Sequence, residues 1–218
     1  MGKVHLLTKE QNTILDVVRQ NKLVASNFYF TGGTALSTYY LQHRYSEDLD
    51  FFSENKFDNQ TIFTIMEEWS KTHNFRFDSR FSQVVYVFNL VFANNAKLKV
   101  DFALYPYKRL EKGVMYDGIE VDSLSDIAAN KLLTIAQRTD IKDFVDLYFL
   151  LNKYTIWDLI EGVRIKFRMR LQPFLIASDL LKIDEFDVLP KMIKPLKLDN
   201  LKSFFREKAK ELALKDVE

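Results

Sequence analysis

Apolar residues along this chain recur with two rhythms, one near 3.6 residues and one of two, and the switch between them marks out the elements. Over residues 9–25, Ile14, Val17 and Val18 make one stripe among Gln, Asn and Lys, which predicts a helix. Phe28-Tyr29-Phe30 reads as a short strand that stops at Gly32-Gly33, and residues 34–43 read as a second helix. The segment 48–52, DLDFF, has strand character, and 59–72 returns to helix. Strands are predicted over 75–81, 84–92 and 97–105, with Asn94-Asn95 as the turn between the last two. A break near 110–122 contains Gly113 and Gly118, and from about Ser123 onward nearly every segment has helical spacing. These elements predict an α+β fold: a core of short mixed sheet flanked by helices over residues 1–115, then a helical region over 116–218.

Composition narrows the picture in a few respects. A chain of 218 residues suits one large domain or one domain with an extension, and 47% hydrophobic residues, including 19 Phe, can fill a core. A net charge of +1 says nothing for or against a nucleic-acid partner. The absence of Cys excludes disulfides and thiolate metal sites and agrees with a reducing compartment. The N-terminal stretch is too polar for a signal peptide and no apolar run is long enough to span a bilayer, so a soluble, cytoplasmic chain with no membrane partner is expected.

The chemistry concentrates in acids. Asp48 and Asp50 flank Leu49, and strand alternation puts both carboxylates on one face with Leu49 and Phe51 on the other. Two carboxylates about 4 Å apart repel by roughly 4 kcal/mol at an effective dielectric near 20. A divalent cation relieves that repulsion, and hard oxygen ligands suit Mg²⁺, with Mn²⁺ as a substitute. A bare Asp-x-Asp is more often a solvated strand edge, but this pair lies between Ser46-Glu47 and two Phe. Asp101, within LKVDFALY, sits on the strand face of Lys97 and Lys99; it can complete a three-carboxylate site, or be a surface charge balanced by Lys99. Gly32-Gly33 lies at a strand-to-helix turn, where backbone amides and the start of a helix can hold a phosphate, with Thr31 and Thr34 as added hydroxyl donors. A plain capped turn is the competing explanation, and neither the dinucleotide fingerprint nor a Walker loop is present.

Gly32-Gly33-Thr34, a helix and then Asp48-Leu49-Asp50-Phe51 together resemble the polymerase-beta-type nucleotidyltransferases. The longer string GGTALSTYYLQHRYSEDLDFF, with DIAANKLLTIAQRTDIKDFVDLYFLL at 126–151, resembles the AbiEii/AbiGii abortive-infection toxins in particular. The resemblance implies a polymerase-beta-like core, an NTP substrate and transfer of a nucleotide to a hydroxyl, on a tRNA or another RNA. It also implies a cognate antitoxin and a phage-defence role. It points to Asp48, Asp50, Asp101 and Lys131 for catalysis, and to Gly32, Gly33, Thr34, Arg44, Ser46, Lys131 and Asp146 for the nucleotide. A small-molecule or protein acceptor, and a degenerate nucleotide-binding module, are the alternatives.

The second block also reads physically. Lys131 is stacked between Ile127 and Ile135 on its helix and must snorkel or meet an anion, which a nucleotide phosphate or a carboxylate such as Asp126 can supply. Phe144, Leu147, Tyr148 and Leu151 are expected to face inward. Asp143, Asp146 and Lys142 share a flank of the following helix and can either lock it to Arg138 or Lys131 or help position the nucleotide. The resemblance raises Asp146 as a functional candidate that would orient Lys131 or Arg44. His43 is expected to cap the end of its helix, and Arg44 to counter the acids or touch a phosphate. His5 and His73 have no supporting context. RIKFRMR at 164–170, read as helix, and the last 28 residues, with eight Lys/Arg against five Asp/Glu, are either solvated faces or a groove for RNA.

Overall fold

The computed structural model describes residues 6–215; His5, and the acids Asp216 and Glu218 of the C-terminal charge balance, lie outside them. The chain divides into two compact units, one formed by residues up to Tyr40 with Ser46–Lys108 and Lys112–Asp122, the other by Leu41–Tyr45, Arg109–Glu111 and the residues from Ser123 on.

The first unit is built on a seven-stranded mixed sheet of order β3-β4-β5-β2-β1-β7-β6. Its strands are β1 (Tyr29–Thr31), β2 (Leu49–Ser53), β3 (Phe75–Ser82), β4 (Val85–Phe92), β5 (Lys97–Leu104), β6 (Val114–Tyr116) and β7 (Ile119–Val121). β2 runs antiparallel to β1 but parallel to β5, and β1 is parallel to β7. Phe30, Phe51 and Phe102 come from the three central strands and pack ring to ring, Phe51 lying 5.3 Å from each of the others. That aromatic layer accounts for the burial of alternate positions Leu49, Phe51 and Ser53 on β2, which leaves Asp50 and Phe52 on the more open face.

Helix α1 (Lys9–Gln20) starts at a Thr8–Gln11 capping box and buries Ile14, Leu15, Val17 and Val18. The single helix expected over 9–25 is two: Asn21 adopts an extended conformation and caps α2 (Lys22–Asn27) with its side chain. Helix α4 (Asn59–His73) buries Ile62, Ile65, Met66 and Trp69 and ends at Asn74 in the left-handed conformation. The helix expected over 34–43 begins earlier and is not regular. A four-residue turn α3 (Gly32–Ala35) runs into a π-helix, Leu36–Leu41. Apolar spacing does not separate such a widened coil from an α-helix.

The second unit packs α5 (Leu124–Gln137), α6 (Ile141–Leu150), α7 (Ile156–Phe167), α8 (Pro173–Leu181) and α9 (Leu198–Lys215). α6 turns Phe144, Val145, Leu147 and Leu150 into the interior, while Tyr148 and Leu151 are only half-buried. RIKFRMR is helical only to Phe167; Arg168 closes α7 in the left-handed conformation. Lys166 from this run is not a surface charge, for its ammonium lies 2.6 Å from Asp126 with both side chains fully buried. Asp126 also accepts from the Ser123 hydroxyl and from the backbone amides of Leu110 and Glu111, so one carboxylate ties α5, α7 and the 109–111 segment together. Asp126→Ala is expected to lower unfolding free energy by about 3–5 kcal/mol, the cost of removing one partner from a buried ion pair, measured by urea denaturation.

Candidate active site

Parallel pairing of β2 with β5 sets Asp50 directly opposite Asp101, and antiparallel pairing sets Thr31 on the other side of Asp50. Residues opposite one another on neighbouring strands share a face, so both carboxylates belong to one face of the sheet. Asp48 lies just before β2, half-buried, and is close enough for its charge to act on Asp101. The three acids singled out from the sequence therefore gather within the first unit.

Asp101 carries the strain of this arrangement. Its side chain is 12% exposed, and Oδ2 accepts from the Lys99 ammonium at 2.5 Å. Oδ1 is buried and accepts no hydrogen bond. Burial holds the Asp101 carboxyl above its ordinary value; Lys99 pulls the other way, and the charge of Asp48 adds to the upward push. Lys99 is itself held above the usual lysine value: burial opposes this most strongly, but Asp101, Asp48 and Asp50 together outweigh it. The role of Lys99 as partner to Asp101 is thus realised, yet on a nearly buried acid beside a second acid. Arg80 was not anticipated. It faces Val87 on β4, which in turn faces Asp101, and its charge reaches that carboxylate. Alternation on β3 shows its face; only the register shows what lies across it. Among the described residues, no three His, Cys, Asp or Glu side chains stand close enough as placed to enclose a metal ion.

The glycine turn is shaped by the acids. Gly32 has φ +74°, and a Cβ there would come within 2.1 Å of Asp50 Oδ2, so both backbone and space demand glycine. Gly33 follows in the first turn of α3. The threonine hydroxyls do not point to an open phosphate site: Thr31 donates to Asp122 at 2.9 Å and Thr34 to the Asp48 carbonyl at 2.5 Å, both residues being buried. Thr34 instead fixes the chain where Asp48 enters β2. Ser46 lies in the same entry loop. Its carbonyl and that of Glu47 accept from the Gln11 side chain at 3.0 and 2.9 Å, which anchors the loop to α1.

Lys131, Arg44 and Asp146 belong to the second unit, where they form a buried charge cluster. Asp146 accepts from Arg44 through two guanidinium nitrogens at 2.6 and 2.8 Å, from His43 Nε2 at 2.6 Å and from Lys131 at 2.7 Å. Lys131 also reaches Asp143 at 2.7 Å, and Asp143 takes Arg138 at 2.8 Å. The anion that Lys131 meets within the chain is therefore a pair of carboxylates, and neither is Asp126. Asp146 thus contacts both Lys131 and Arg44, the two side chains that the resemblance offered it. Burial pushes Asp146 upward, but the charges of Lys131 and Arg44 prevail and hold it well below the usual carboxylate value. His43 is not a helix cap but a fully buried member of this cluster, packed against Phe149, with Nδ1 lacking a hydrogen-bond partner. Burial holds its imidazole below the ordinary value, despite the opposite pull of Asp146.

A model of the nucleotidyl transferase AbiEii toxin family, a Type IV toxin–antitoxin system, matches residues 14–216, and the chain belongs to that family. It is 33% identical over 212 residues to protein aq_aa25 of Aquifex aeolicus, covering 94% of this chain and 97% of that protein. Among solved structures it is similar to MenT4, nucleotidyltransferase toxin Rv2826c of Mycobacterium tuberculosis, with TM-score 0.59 at 17% identity over 94% of this chain and 82% of that one. It is also similar to JHP933 of Helicobacter pylori, with TM-score 0.57 at 19% identity over 96% and 94%. These two likenesses are of fold. Family membership implies an NTP substrate and a cognate antitoxin. No helix among the described residues is long and apolar enough to cross a membrane.

Two outcomes follow from the charges. Burial makes the His43 imidazole harder to protonate in the native protein than in the unfolded chain, so its contribution is complete above about pH 6.5 and is lost as pH falls below it. The depressed Asp143 and Asp146 add their own loss only at more acidic pH, below the ordinary 3.8. The urea midpoint is expected to drop between pH 7.5 and 5.5 (about the span of a histidine titration), and His43→Gln, which keeps a donor toward Asp146, to flatten that drop. For Asp101 the sign is reversed. A carboxyl raised by burial penalises the fold at neutral pH, so Asp101→Asn is expected to melt no lower than the wild type by calorimetry.

Proposed function

We propose that this chain is a divalent-cation-dependent nucleotidyltransferase that moves a nucleotide from an NTP to a hydroxyl of a cytoplasmic RNA, with tRNA as the first acceptor to test, as the toxin of a toxin–antitoxin pair used against phage. The observation that carries this reading is Asp101 facing Asp50 across the parallel ladder, with one buried oxygen that has no hydrogen-bond partner.

The residues fit Mg²⁺ or Mn²⁺ in their chemistry: Asp48, Asp50 and Asp101 offer hard carboxylate oxygens, and the orphaned Oδ1 of Asp101 is a ligand atom in want of a cation. A divalent cation held by these acids supplies neutralisation of the triphosphate charge and polarisation of the α-phosphate. The backbone amides at Gly32 and Gly33 hold the phosphates, and Thr34 keeps Asp48 in place through its carbonyl. Asp101, whose carboxyl is raised by burial, is suited to accept the proton of the attacking hydroxyl. In-line attack of that oxygen on the α-phosphorus forms the new phosphodiester, and the α–β bond breaks to release pyrophosphate. Lys131, Arg44 and Asp146 serve by holding the helical unit in shape, because their charges are already matched to one another. The exposed Arg164, Arg168 and Arg170 at the end of α7 are the candidate contacts to RNA phosphates.

Asp50→Asn is expected to reduce transfer of label from α-labelled NTP to total RNA by about 10²–10³-fold, the scale on which loss of a charge-stabilising group acts. Purified wild-type protein, each of the four NTPs and RNA, protein and small-molecule acceptors are compared side by side. Transfer that survives in Asp50→Asn, or label that enters only protein or small molecules, overturns the corresponding part of this reading.

A further inference from the structure

Lys99 and Asp101 are two residues apart on β5, so strand alternation brings their side chains to the same face, where Asp50 also stands. The Lys99 ammonium lies 2.5 Å from Asp101 Oδ2, and the charges of Asp48 and Asp50 act on it as well. Asp101 Oδ1, by contrast, is buried and accepts nothing. The Lys99 side chain is 37% exposed and four methylenes long, so its head can leave without repacking the core.

We propose that Lys99 is the resident counter-ion of the acid site: its ammonium stands where a divalent cation would bind, and the two compete for Asp48, Asp50 and Asp101. The inference rests on the reading of those acids as cation ligands. In the cation-free chain Lys99 relieves the repulsion that the strand register imposes. A bare cation has to displace it, and the released ammonium then faces only water. A cation arriving with a nucleotide brings phosphates that can receive the ammonium. Lys99 is in this way a positioning residue that favours the cation–nucleotide complex over the free cation.

Two measurements without nucleotide test the competition. Mn²⁺ binding is followed by electron paramagnetic resonance for the wild type, Lys99→Met, Asp50→Asn and Lys97→Met, the last removing an equal charge from an exposed position on the same strand. Lys99→Met is expected to bind Mn²⁺ about tenfold more tightly, and Lys97→Met within about twofold of the wild type, because a contact charge outweighs a more distant, solvent-screened one. In wild-type protein, which needs no variant to fold, acetylation of Lys99 by an amine reagent is expected to quicken when Mg²⁺ is added, as read by peptide mass spectrometry. Wild-type binding that Lys99→Met fails to tighten, or Lys99 acetylation that saturating Mg²⁺ leaves unchanged, overturns the proposal while leaving the acid site intact. If neither wild type nor Lys99→Met binds Mn²⁺ better than Asp50→Asn, the cation reading of the three acids falls, and this proposal with it.

Discussion

The parallel register of β2 on β5 imposes a single electrostatic constraint on the first unit: two carboxylates, Asp50 and Asp101, share one face on adjacent strands, with a third at Asp48. The ladder that fixes them is itself held by Phe51, clamped between Phe30 and Phe102, so the acids cannot separate without breaking the aromatic layer beneath. Countercharge has to come to them. Lys99 supplies part of it from the same strand, and Arg80 some from farther across the sheet. What these cations leave undone is visible in the buried Oδ1 of Asp101, which has no hydrogen-bond partner.

The second unit buries acids on opposite terms. Asp146 accepts from three different side chains, and Asp143 from two of the cations around it. Asp126 is likewise met by Lys166, a hydroxyl and two amides. All three carboxyls are held below their ordinary values, whereas that of Asp101 is held above. Burial acts on all four in the same direction; the number of donors decides the outcome. Acids so fully matched stabilise a fold, and an acid left under-matched marks a place where the chain keeps a charge for another purpose.

The same contrast explains which parts of the site were legible in the sequence. The face of Asp50 was readable because strand alternation is local, and Gly32 because a diglycine between strand and helix stands out; Asp48, expected on the same strand, lies just before β2, where alternation does not set its face. The physical demand on Gly32 is different from a phosphate's approach alone, since the Asp50 side chain occupies the space a Cβ would need. Thr31 and Thr34 were readable as hydroxyls but not as occupied ones; their partners, Asp122 and the Asp48 carbonyl, lie 91 and 14 residues away. His43 has an Asp partner 103 residues away and so looked like the end of a helix. The short β6 and β7 passed for a glycine-bearing break, because three-residue strands carry too few positions to show a period.

By itself the sequence determined where most helices and strands fall, the faces of Asp50 and Asp101, and the family to which the chain belongs. All of these rest on near neighbours along the chain, through periodicity, capping and motif spacing. Only the tertiary structure decided that Asp101 stands opposite Asp50, that Lys99 shares their charge, and that Lys131 and Arg44 meet carboxylates of their own unit. Strand register and helix packing set those pairings. They are fixed by the summed burial of residues far apart in the chain, which no local spacing encodes.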